Sequence, residues 1–64
     1  MDHEDLVRRV RAEFLEMPGL RLTIQQASRL WGLERATCEA VVDSLVNSSF
    51  LRRTAAGIIA TTDR

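Results

Sequence analysis

Between Leu22 and Arg53 the apolar pattern changes character twice, and few folds accommodate such a run. Ile24, Ala27, Leu30 and Trp31 fall on one helical stripe that stops at Gly32, which tolerates the left-handed turn that ends helices. Cys38, Val41, Val42, Leu45 and Val46 then repeat at i, i+3, i+4, i+7 and i+8, a second stripe that must face a core. At Phe50 the pattern becomes strand-like. The expectation is two helices joined by a tight turn, followed by a β hairpin with strands Phe50–Thr54 and Ile58–Thr62 around Ala55, Ala56 and Gly57.

Residues before this stretch add a further helix, expected over Asp2 to Met17. Leu6, Val7, Val10, Phe14 and Met17 share one stripe, with Asp2 as the N-cap and acids in the first turn where the helix dipole favours them. Glu4 with Arg8, and Asp5 with Arg9, have the spacing of intrahelical ion pairs. Pro18 and Gly19 end the helix, and Leu20 to Leu22 alternates as a short strand able to pair with the later hairpin. Thr23 and Gln26 have capping-box spacing and open the second helix; Glu34 or Arg35 opens the third, which runs to Ser48. Its outward face is then Arg35, Ala36, Glu39, Ala40, Asp43 and Asn47, with Thr37 at the edge. The whole is one domain, residues 1–64, mainly α with a small β-sheet.

Composition narrows the chemistry. The 64 residues are near the lower limit for a core that offsets chain entropy unaided. Met1 leads directly into Asp2, His3, Glu4 and Asp5, and no apolar run approaches the roughly 20 residues of a membrane span, so no signal peptide or span is expected and the reading is cytoplasmic. With 1 Cys and 1 His there is no internal disulfide and no Cys/His metal site, so no metal or cofactor is expected. His3, stranded among acids and read as a partly buried packing residue, cannot serve a nucleophile, and there is no glycine-rich phosphate loop; enzymatic activity is not expected. The 9 basic residues, all Arg, balance 9 acids. Trp31 and Cys38 lie on apolar stripes and read as core residues, rather than a stacking platform and a redox sensor.

The run Leu30-Trp31-Gly32-Leu33, with Cys38, Val42, Leu45, Val46 and Phe50-Leu51-Arg52-Arg53, resembles the winged helix-turn-helix superfamily, most closely its small stand-alone bacterial regulators. The likeness covers about residues 6 to 62. It implies three helices plus a C-terminal β-hairpin wing, with the third helix reading double-stranded DNA and the wing touching its backbone. By that resemblance Arg35, Ala36, Thr37, Glu39 and Ala40 occupy base-facing positions, and Arg52 and Arg53 sit at the wing. Two positions depart from the pattern: Ser49 stands where Gly often follows the third helix, and Ala56 where Asp or Asn often precedes the hairpin Gly.

Arg35 has two readings, a DNA contact or a surface ion pair with Glu39. Gln25, Ser28 and Arg29 on the second helix are further candidates for phosphate contact, and Arg21 could extend a positive strip. Leu15 projects away from the core stripe, and strand alternation cannot bury both Ile58 and Ile59 on one face. Leu15, together with one of Ile58 and Ile59, marks a candidate homodimer interface through the first helix and the chain ends. Neutral net charge and the mixed-charge third helix keep open a second class, a winged helix that docks another protein without binding DNA.

Overall fold

The computed structural model describes Asp2 to Thr62. Its elements are α1 (His3–Glu16), β1 (Leu22–Thr23), α2 (Ile24–Trp31), α3 (Arg35–Asn47), β2 (Leu51–Arg53) and β3 (Ile58–Thr61). Three helices and one small antiparallel sheet thus follow in the expected order of helix, helix, helix and wing.

Helix α1 inserts Leu6, Val10 and Phe14 into the core, and α3 crosses it with Cys38, Val41, Val42 and Leu45. The rings of Phe14 and Trp31 meet edge to face, centroids 6.0 Å apart at 64°, an arrangement aromatic quadrupoles favour. Trp31 is therefore a core residue, with its Nε1–H buried and without an acceptor among the described residues. Leu51 and Ile59 close the core from the sheet side.

Several sequence expectations are corrected at the helix ends. Asp2 occupies the N-cap position of α1, but its side chain makes no capping hydrogen bond. Met17 leaves the apolar stripe, because the chain departs from helical geometry there (φ −126°, ψ 81°) and turns at Pro18, which leaves the side chain 46% exposed. Leu30 is 55% exposed, since in the short α2 the neighbouring Trp31 takes the place against Phe14. The pairs Glu4–Arg8 and Asp5–Arg9 do not close: among the described residues the ion pairs are Arg35–Glu39 and Arg53–Asp43. Holding two long exposed side chains together gains little over leaving both in water.

The helix signals of α2 and α3 are realised in detail. Thr23 Oγ1 accepts from the Gln26 amide at 3.1 Å while Gln26 Oε1 accepts from the Thr23 amide at 3.0 Å, a complete capping box. Gly32 stops α2 in the left-handed region (φ 65°, ψ 36°). At the end of α3 the amide of Phe50 donates to the Leu45 carbonyl at 3.0 Å and that of Ser49 to the Val46 carbonyl at 2.9 Å. This is the Schellman closure, and it forces Ser49 to φ 67°. A side chain in that region costs about 1–2 kcal/mol that glycine avoids. Ser49→Gly is therefore expected to raise stability by about 1 kcal/mol, read as a higher urea midpoint; a lower midpoint would show that Ser49 is held by contacts glycine cannot replace.

The sheet has the order β1-β3-β2, antiparallel throughout. Leu22 faces Ile59 and Thr23 faces Ile58, while Leu51, Arg52 and Arg53 face Thr61, Ala60 and Ile59. The expected pairing of a short early strand with the hairpin is thus present, shifted to Leu22–Thr23. Thr54 closes the hairpin: its amide donates to the Ile58 carbonyl, its carbonyl accepts from Gly57, and its hydroxyl accepts from the Ile58 amide. The loop is Ala55-Ala56-Gly57, and only Gly57 takes positive φ (83°). Ala56, where Asp or Asn often precedes the hairpin glycine, carries no left-handed penalty, because the positive-φ position of this three-residue loop falls at Gly57.

Candidate nucleic-acid interface

The core stripe of α3 fixes its opposite flank as free surface. Arg35, Ala36, Ala40, Asp43 and Asn47 are exposed, Glu39 and Thr37 half-buried. Ala36 and Ala40 lie one turn apart with no side chain beyond Cβ, so a flat partner can approach the backbone of α3 closely between Arg35 and Asp43. That strip is the least obstructed part of the helix.

Three elements converge beside it. Gln25 from the first turn of α2, Arg35 from the first turn of α3 and Arg53 from β2 line one cleft, together with Thr23 and Ile24 where β1 meets α2 and Ala56 and Gly57 of the hairpin loop. The capping box positions Gln25 by fixing where α2 begins, and the Gly32 turn sets where α3 starts. Both arginines have partners on α3. Arg35 Nε lies 3.4 Å from Glu39 Oε2, and Arg53 Nη2 donates to Asp43 Oδ1 at 2.8 Å. All four side chains are substantially exposed, so neither pair contributes much to stability. Their consequence is orientation: Asp43 tethers the wing strand to the third helix.

The other candidates separate. The Ser28 hydroxyl donates to the carbonyls of Ile24 at 3.0 Å and Gln25 at 3.2 Å within its own helix, which takes it out of the free surface expected for it. Arg29 is exposed in the last turn of α2. Alternation divides Arg52 from Arg53, as expected: Arg53 turns to α3 and Arg52 to the outer sheet face, beside Arg21. Ile59 is buried inside its own subunit, so it is not available for a dimer interface. Leu15 is 56% exposed and Ile58 is half-buried.

His3 is exposed rather than packed, with Nε2 at 2.9 Å from Ser44 Oγ on α3. Burial pushes the Cys38 thiol above its ordinary pKa, with the neighbouring Glu39 charge adding to the effect. Among the described residues no group of His, Cys, Asp and Glu is arranged to hold a metal ion, and no helix is long and apolar enough to cross a membrane.

Net neutrality conceals a division of charge. Residues 2–16 carry five acids against three Arg, whereas residues 20–62 carry five Arg against three acids, two of them in the ion pairs above. Sequence reasoning missed this because a whole-chain total has no position. It also missed the Asp43–Arg53 tether and the stacking of Arg11 over Phe50, 5.0 Å from the ring centroid, since both depend on contacts between elements distant in sequence.

No protein-family model, curated protein or solved structure gives a significant match to this chain.

Proposed function

We propose that this chain is a winged helix-turn-helix protein that binds double-stranded DNA, as a cytoplasmic transcriptional regulator or accessory factor rather than as an enzyme. The first two turns of α3 enter the major groove, with Ala36 and Ala40 permitting close approach and Arg35 reaching base edges. Gln25 and Arg53 hold the flanking backbone. The observation that carries this reading is the convergence of Gln25, Arg35 and Arg53, from three elements, on one cleft beside the small-residue strip of α3. The basic excess over residues 20–62 supports it. Two copies would present paired reading helices; Leu15 on the outer side of α1 supplies an apolar contact for such a homodimer, and sedimentation as a monomer at tens of micromolar would exclude it.

The Asp43–Arg53 and Arg35–Glu39 pairs favour a second reading, because a carboxylate already neutralises each arginine of the cleft. A mixed-charge surface of that kind suits a protein partner as well. Fluorescence anisotropy of labelled duplex at two salt concentrations separates the readings. DNA binding predicts salt-sensitive affinity that falls on the order of tenfold in Arg35→Ala and rises in Asp43→Asn, which frees Arg53. Absence of duplex binding at low salt, with both variants folded, would leave the protein-docking reading.

A further inference from the structure

We propose that Arg21 and Arg52 form a phosphate-binding site on the outer face of the sheet, with Ala60 as its floor. The site is separate from the α3 cleft and does not require α3 to enter a groove.

The register places both arginines around one small residue. Arg52 lies directly across from Ala60, and Arg21, one residue before the Leu22–Ile59 pair, falls opposite Ala60 from the other side when that pairing is continued. Two strand spacings put their Cα atoms about 9.5 Å apart, a span that two arginine side chains bridge to meet over a single tetrahedral anion. Ala60 is 7% exposed although it lies outside the apolar core and its strand neighbour Ile59 takes the inner face. Arg21 and Arg52 line one depression with Ala60, whose remaining wall is Pro18, Gly19, Leu20 and Thr61.

Charge gives the site its chemistry. Neither arginine has a carboxylate within 4.0 Å among the described residues, whereas Arg35 and Arg53 each have one. Two like charges on one sheet face repel, and an anion between them reverses the sign of that interaction. Arginine's planar fork matches phosphate oxygens in pairs. The small side chain of Ala60 puts no bulk between the two arginine positions.

The same chemistry serves a duplex backbone phosphate or free phosphate, and two measurements distinguish them. In the first, arginine Nε–H resonances of the whole chain are followed by NMR during titration with inorganic phosphate. Arg21 and Arg52 are expected to shift together and saturably, Arg29 much less. Arg21→Gln should remove the response of Arg52, and Ala60→Glu should abolish both responses by placing a carboxylate between the heads. In the second, anisotropy of a random-sequence duplex is measured across a salt series with Arg21→Gln/Arg52→Gln. A backbone source predicts a log–log slope shallower by about 0.9 for each duplex phosphate the variant no longer neutralises; an unchanged slope with the NMR response intact assigns the site to free phosphate. If Arg21 and Arg52 move no more than Arg29 in phosphate, the proposal is wrong, whatever α3 does with DNA.

Discussion

Phe14→Ala should leave the chain largely unfolded at room temperature. Phe14 is fully buried where α1 meets α2, and truncating a buried phenylalanine costs about 3–5 kcal/mol. A domain of 64 residues has only about 3–10 kcal/mol in total. The effect is readable because Trp31, the only tryptophan, lies against the Phe14 ring. Emission of the variant should move to the red in buffer alone, as it does for the wild type in denaturant. Phe14→Leu, which keeps most of the volume, should retain a cooperative transition at lower denaturant. A cooperative Phe14→Ala transition near that of wild type would show that the α1–α2 contact is not the centre of the core.

The second large effect concerns Cys38. Its thiol is fully buried in the middle of α3, so a thiol reagent should modify the native chain about a hundredfold or more slowly than the denatured chain. Burial, then the Glu39 charge, holds the folded thiol above its ordinary pKa of 9.0. The folded state therefore favours the protonated form. This contribution to stability is whole below about the ordinary value of 9.0 and is lost as pH rises through the folded pKa. Urea unfolding at mildly and strongly alkaline pH should show a steeper loss for wild type than for Cys38→Ala. Equal slopes would mean that the thiol does not titrate differently in the two states, and rapid native modification would place it at a surface.

Much of the fold was legible because its punctuation is local. Thr23 with Gln26, Gly32, Ser49 and Gly57 each act through hydrogen bonds or dihedral angles within a few residues, and each took the role its neighbours required. Periodicity located the buried flank of α3 for the same reason. It failed at Met17 and Leu30, where a stripe still looks continuous although the helix or its packing partner has ended. The candidate site was legible only in part. Helical spacing exposes Arg35, Ala36 and Ala40, but the pairing of Arg53 with Asp43 and the alignment of Arg21 with Arg52 follow from strand order and helix crossing. No window on the sequence holds those relations. Ile58 and Ile59 show the boundary: alternation requires that they part, and only the register reveals that Ile59 turns inward.

The strand order β1-β3-β2 has a consequence for biosynthesis. The middle strand of the sheet is the last of the described elements, so Leu22 and Thr23 emerge from the ribosome long before Ile58 and Ile59 exist to receive them. Until then the helices have no lid over their sheet-facing side. The two outer strands share no hydrogen bonds with each other, so closure of the sheet waits on the synthesis of Ile58–Thr61, the one segment that joins them.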